Sequence, residues 1–191
     1  MKKNTTYVLG TLIFVIVLVF FFSNRNSDNT HLMSGGTPMS HQDMGHMDMS
    51  VSSQKDFIEK MIPHHQEAVD TAQQVVERGG ATPEVKELVE NIIIAQEKEI
   101  ADMKAWYLAW YGEVYQDTGA YVPMMRDLSG LSGAELDRVF LEDMIMHHMG
   151  AVMMAEMVRP FIENQEIANL VEDIVETQAQ EIQLMMKLLR A

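Results

Sequence analysis

From residue 53 onward the apolar side chains recur three and four positions apart in four segments, the spacing of one buried helix face. The first segment runs from Ser53 to Arg78. At 100° per residue Phe57, Met61, His64, Ala68, Ala72 and Val75 share one face of it, with a histidine near the middle. Gly79-Gly80 is its stop signal, and Pro63 predicts a kink because it leaves the Glu59 carbonyl without its donor. Thr82-Pro83 opens the second helix, threonine as N-cap and proline at the first helical position. It continues to Tyr111 and turns Ile92, Gln96, Glu99, Met103 and Trp106 inward. Residues 113–131, with Pro123-Met124-Met125, form a crossover long for a helical hairpin. Ser132 and Glu135 have capping-box spacing and start the third helix, which reaches Val158. Beyond Pro160, Asn164 caps the fourth, whose inward face reads Ile174, Gln178, Glu181, Met185 and Leu188.

The pattern is written twice. Phe57-Ile58-Glu59-Lys60-Met61-Ile62-Pro63-His64-His65 returns 83 positions later as Phe140-Leu141-Glu142-Asp143-Met144-Ile145-Met146-His147-His148. Ala68, Val69 and Ala72 return as Ala151, Val152 and Ala155; Gln96, Glu99, Ile100 and Met103 return 82 positions later as Gln178, Glu181, Ile182 and Met185. Two copies are too few for a solenoid. The expected fold is all-α, a four-helix bundle made by two repeated helical hairpins closing on each other.

Before the bundle the pattern changes. Lys2 and Lys3 precede an apolar run from about Tyr7 to Phe22, at the short end of what spans a bilayer. Phe20-Phe21-Phe22 stands where a signal peptide would carry small residues. Residues 1–23 are therefore read as an uncleaved anchor, with a cleaved signal as the alternative. Two lysines before the run and Arg25 after it place the N-terminus inside and the domain outside, periplasmic or otherwise extracytoplasmic, anchored in the inner membrane by residues 7–22. Residues 24–52, dominated by Ser, Asn, Gly, Thr and Pro, read as a disordered tether to a domain at 53–191. Within the tether lie His31, Met33, Met39, His41, Met44, His46, Met47 and Met49, eight Met or His residues in nineteen. Thioethers select Cu(I), and imidazole serves copper in either oxidation state, so the tether reads as a metal-capturing arm.

Charge and cysteine narrow the function. Residues 1–50 carry three basic and three acidic side chains, so the whole net charge of −14 falls on the domain, which excludes nucleic-acid binding by counterion release. The chain has no cysteine, hence no disulfide, thiolate ligand or thiol nucleophile. The remaining candidates are histidine and methionine. Both repeats put a histidine at the centre of an apolar face and Gln, Glu and Met at i, i+3 and i+7 on the partner helix. Two readings stand side by side: a His–Glu hydrogen bond across each hairpin, or a symmetric core metal site of His64, His147, Met103 and Met185 oriented by Glu99 and Glu181. On the third helix Met146, Met149, Met153 and Met157 fall within an arc of about 80°. Their counterparts in the first half are Pro63, Gln66, Asp70 and Gln74, so the methionine stripe occupies a position that the repeat marks as surface. It is expected to hold soft metal ions, with packing against the arm or a partner as the alternative. A ferritin-like di-metal oxidase would need Glu-x-x-His on two helices. Glu59 and Glu142 stand five residues before the histidines and Asp143 four, so the chain is read as a non-enzyme.

Phe57 through Ala72, with its Met-Ile-Pro-His-His-x-x-Ala core, and Gln96-x-x-Glu-Ile-x-x-Met103-x-x-Trp106 resemble domain-of-unknown-function family 305. The resemblance covers about residues 51–190. It implies a ferritin-like four-helix bundle, often exported, that binds copper through Met and His in copper resistance or delivery, Cu(I) in the first place, with Ag(I) or Cu(II) as alternatives. The metal candidates are then Met61, His64, His65 and Met103 in the first half, and Met144, His147, His148, Met154 and Met185 in the second. To these are added the stripe of Met146, Met149, Met153 and Met157 and the arm residues His41, Met44, His46, Met47 and Met49. The family pattern His-His-x-x-Ala-x-x-Met-Ala is complete from His147 to Ala155, whereas the first repeat has Thr71 in place of methionine. The expected partners are metal ions and a copper exporter or acceptor protein, with the membrane met only through the N-terminal segment. A ferritin-like redox enzyme and a metal-free helical interaction module are the alternative functions.

Overall fold

The computed structural model describes residues 50–191, which form four α-helices. They are α1 (Gln54–Arg78), α2 (Pro83–Tyr111), α3 (Gly133–Val158) and α4 (Gln165–Leu188), and a short 3-10 turn, Arg159–Phe161, closes α3. The all-α bundle is the one the periodicity predicts. Among the described residues no helix is long and apolar enough to cross a membrane. The apolar run at 7–22 and the tether up to Met49 lie outside the described residues. The last tether residues do not stand apart from the domain: Val51 is buried in its core.

The ends of the helices follow the sequence in part. Ser53 accepts from the Asp56 N–H and Thr82 from the Val85 N–H, as N-caps should. Ser132 and Asn164 stand at the N-cap positions of α3 and α4, but neither side chain makes a capping bond, so the expected capping box at Ser132 does not form. The α1 helix runs on through Pro63 as one continuous helix.

Helix α1 packs along α2 and α3, and α3 also packs along α4, while α2 and α4 barely touch. The face expected of α1 is buried as a whole. On α2 the core is instead Ile92, Gln96, Ile100, Met103 and Tyr107, and Glu99 and Trp106 sit half-buried at its edge. The same one-residue rotation puts Ile182 in the core on α4 and leaves Glu181 at the edge.

Buried apolar residues form two clusters. One joins Phe57, Met61, Met103, Tyr107, Met154, Val158 and Ile174; the other joins Ala72, Val75, Leu88, Ile92, Phe140, Met144, Ile182 and Met185. The first takes the N-terminal half of α1 and of α4 and the C-terminal half of α2 and of α3. Helix α1 is therefore antiparallel to both α2 and α3, and α2 and α3 run the same way. Their connection must return the length of the bundle, about 37 Å for the 25 residues of α1. This is why the crossover is long, and it takes the loop past the middle of α1.

The two hairpins are tied reciprocally. Asp137 of α3 accepts from the backbone N–H groups of Gly80 and Ala81 in the α1–α2 turn, at 2.6 Å each. Its counterpart 83 positions earlier, Gln54 of α1, accepts from the N–H groups of Glu163 and Asn164 before α4, at 3.0 Å each. The approach at the first tie is close: a Cβ on Gly79 would lie 2.4 Å from Asp137 Oδ1, so a larger residue there would displace the carboxylate.

Candidate metal centre

Between the two apolar clusters lies a polar layer. Each repeat contributes two adjacent histidines, and 100° of rotation sends them to different neighbours. His64 and His147 face each other across α1 and α3, with ring centroids 3.7 Å apart and planes 36° apart. His65 instead turns to α2 and bonds Glu99 at 2.7 Å, and His148 turns to α4 and bonds Glu181 at 2.7 Å. The His–Glu bond across each hairpin thus forms, through the second histidine of each pair. Glu99 and Glu181 do not orient His64 and His147, contrary to the expected core site.

All four imidazoles are buried. Burial, reinforced by the neighbouring imidazoles, pushes His64 well below the usual histidine range; burial also lowers His147, against the pull of Glu67. The central rings are therefore neutral, with lone pairs available. Both ring nitrogens of His64 and of His147, Nδ1 of His65 and of His148, and the Oε1 atoms of Gln96 and Gln178 are buried without a hydrogen-bonding protein partner. His147 Nε2 does lie 3.3 Å from Glu67 Oε2, but without the alignment of a hydrogen bond. Buried polar atoms are nearly always paired, so this concentration in one layer is a signal of ligand chemistry.

The methionines take three kinds of position. Met61, Met103 and Met154 are buried together in one apolar cluster, and Met144 and Met185 in the other. Met103 and Met185 thus flank the histidine layer from opposite sides rather than meeting in one site. On α3 Met146 and Met149 are half-buried, while Met153 and Met157 are 46% and 41% exposed, so the stripe passes from core edge to surface. The arm candidates His41, Met44, His46, Met47 and Met49 lie outside the described residues. Among the described residues no three His, Asp or Glu side chains converge as a metal-binding group. Such a group would leave out thioethers, which are the other candidate donors here.

The sequence reading missed Glu67. Its half-buried carboxylate receives the backbone N–H of Met124 at 2.8 Å and of Met125 at 2.9 Å, and the Tyr121 hydroxyl. Burial would raise its pKa, yet the contacts from His147, Tyr121 and Met125 bring it below the usual carboxylate range. The Tyr121 ring stands edge-on to His64, centroids 6.1 Å apart, so the crossover loop covers one side of the layer. Arg126 fixes the loop to α3 through Asp143 at 2.9 Å and Glu142 at 2.9 Å. Glu59 accepts from the Tyr107 hydroxyl at 2.7 Å. The acids that precede the histidines in sequence, Glu59, Glu142 and Asp143, are thus engaged away from them. One signal was available: the repeat has Gly150 where Glu67 stands, and the half with a carboxylate is the half with a loop to hold.

A family model described as Domain of unknown function (DUF305) matches residues 23–107 and 54–189. The chain belongs to this family. Among solved structures it is similar to CopM in the Cu(I)-bound form, with 35% identity over 73% of this chain and 97% of that one and a TM-score of 0.67. CopM in an Ag-bound form obtained by soaking gives 35% identity over the same shares and a TM-score of 0.65. A DUF305 protein of Streptomyces coelicolor described as secreted gives 28% identity over 72% of this chain and 93% of that one, with a TM-score of 0.64. No protein of curated function matches the sequence.

Proposed function

We propose that this protein is an extracytoplasmic copper-binding protein that sequesters Cu(I) or passes it on, without turnover. The observation that carries the reading is the buried layer of unpaired histidine nitrogens and glutamine oxygens, flanked on both sides by buried methionines. Neutral imidazole and thioether are borderline-to-soft donors without charge, suited to Cu(I) and Ag(I) rather than to hard cations. CopM, similar over nearly its whole length, has been seen with Cu(I), Cu(II) and Ag, which agrees with this donor set. The likeness to a protein described as secreted, together with the apolar segment at 7–22, supports a place outside the cytoplasm.

The proposed core ligands come from His64, His65, His147 and His148 and from Met61, Met103, Met144, Met154 and Met185. The outer stripe of Met146, Met149, Met153 and Met157 and the arm with His41, Met44, His46, Met47 and Met49 would capture ions first and hand them on. Glu59, Glu142 and Asp143 engage Tyr107 and Arg126. The carboxylates that reach the layer, Glu67, Glu99 and Glu181, do so beside His147, His65 and His148 and not from the Glu-x-x-His spacing of a ferritin-like oxidase, which speaks against that reading.

Titration of the full chain with Cu(I), Ag(I), Cu(II) and Zn(II) tests the reading. Cu(I) and Ag(I) are expected to bind in preference to Zn(II), with no oxidase activity in the copper-loaded protein. Removal of residues 31–49 is expected to lower copper stoichiometry and leave the melting temperature nearly unchanged. Iron or manganese retained in preference to copper, or no retained metal at all, would overturn it.

A further inference from the structure

Among the buried methionines of the four helices the repeat leaves one unmatched. Met154 of α3 is buried with Met61 and Met103 on one side of the histidine layer. The matching set on the other side is Met144, Met185 and position 71, which is threonine. Where the helix supplies no sulfur, the crossover loop brings one: Met125 Sδ lies 3.1 Å from Thr71 Oγ1, and Met125 packs against the cluster that holds Met144 and Met185.

The placement of this sulfur is built rather than incidental. Three consecutive backbone N–H groups are held by carboxylates, Met124 and Met125 by Glu67 of α1 and Arg126 by Asp143 of α3. The loop backbone is thus pinned to two helices at the residue that carries the thioether. Thr71 leaves that sulfur's lone pairs available, because its single proton has the backbone carbonyls of Glu67 and Ala68 as stronger acceptors.

From this geometry we propose that Met125 is a ligand for a soft monovalent ion, Cu(I) or Ag(I), together with Met144 and Met185, in the place that Met154 takes beside Met61 and Met103 in the other half. The proposal rests on the copper-binding reading above and adds a ligand supplied by the crossover loop. Three neutral thioethers suit a soft monovalent cation and offer little to Zn(II).

The test is an Ag(I) titration of the full chain with isotope-labelled methionine methyl groups, followed by NMR. In the wild type the methyl signals of Met125, Met144 and Met185 are expected to shift together. In Met125→Leu, which keeps the volume and removes the sulfur, the affinity read at Met144 and Met185 should fall by at least about tenfold, since even orienting groups around a metal are worth about 10–100-fold. The signals of Met61, Met103 and Met154 should titrate as before. In Thr71→Met/Met125→Leu the helix carries the sulfur, as α3 does, and affinity should return. Unchanged binding at Met144 and Met185 in Met125→Leu overturns the inference, and so does a loss that Thr71→Met does not rescue. A wild type in which no methionine signal responds to Ag(I) or Cu(I) would instead sink the copper-binding reading itself.

Discussion

His64 and His147 stand 83 residues apart in sequence and meet at the centre of the bundle with ring centroids 3.7 Å apart and planes tilted by 36°. Neither ring makes a protein hydrogen bond, although both are buried. Two neutral imidazoles in contact, each short of polar partners, are an expensive way to fill a core. Unpaired buried polar groups cost about 1–3 kcal/mol each. Replacing both with apolar side chains removes that cost. His64→Leu/His147→Leu is therefore expected to melt at or above the wild-type temperature when metal-free, while losing Cu(I) affinity. A metal-free double variant less stable by more than about 2 kcal/mol would mean that the rings are structural, because paired deletions of unsatisfied groups should be near neutral.

The reciprocal ties differ in charge. Asp137 offers a carboxylate to two backbone donors at 2.6 Å, whereas Gln54 offers an amide oxygen to two donors at 3.0 Å. Bonds to charged acceptors are stronger and leave a costlier defect when lost. Asp137→Ala is expected to cost about 2–3 kcal/mol and Gln54→Ala about 1–2 kcal/mol in denaturant unfolding. The reverse order would indicate that the α1–α2 turn holds without its carboxylate.

Acid should destabilise the metal-free domain. Burial lowers the pKa of His64 and of His147 below that of the unfolded chain, so the unfolded state binds more protons and stability rises with pH through this range. The groups facing them are each other, His65, His148, Glu67 and Tyr121, and among the acids Glu67 has its own pKa lowered by its contacts. Its contribution is present above the unfolded carboxylate range and lost below it, in the same direction. The histidine contribution is complete above the ordinary histidine pKa of about 6.5 and is lost as pH falls below it. Melting temperatures measured between about pH 7.5 and pH 5 should fall toward the acid end. A flat profile would place the histidines in contact with water.

Leucine has the shape of methionine without the sulfur, which separates packing from ligation on α3. Met149 is half-buried and Met153 is exposed, so Met149→Leu/Met153→Leu should leave stability within about 1.5 kcal/mol of wild type. If the stripe captures soft ions, Cu(I) competition titrations should report weaker binding while Zn(II) titrations stay as in the wild type. Equal Cu(I) affinity would make the stripe a packing or docking face.

The sequence by itself determined the bundle, because the 3.6-residue period and the copied halves leave few ways to bury four apolar faces. It also determined that His64 and His147 meet, since a repeat that closes on itself brings equivalent positions to its axis. What it could not determine is the partner of the second histidine in each pair. The 100° step turns His65 away from the face of His64, and only the packing of α2 against α1 brings it to Glu99. Only the tertiary structure decided the role of residues 113–131 as well. No period marks Tyr121, Met125 or Arg126, whose places follow from α2 and α3 running parallel and from carboxylates on α1 and α3 that catch the returning chain. A helix position is fixed by its neighbours three and four residues away, but a loop position is fixed by partners dozens of residues distant, and in this protein those include Glu67.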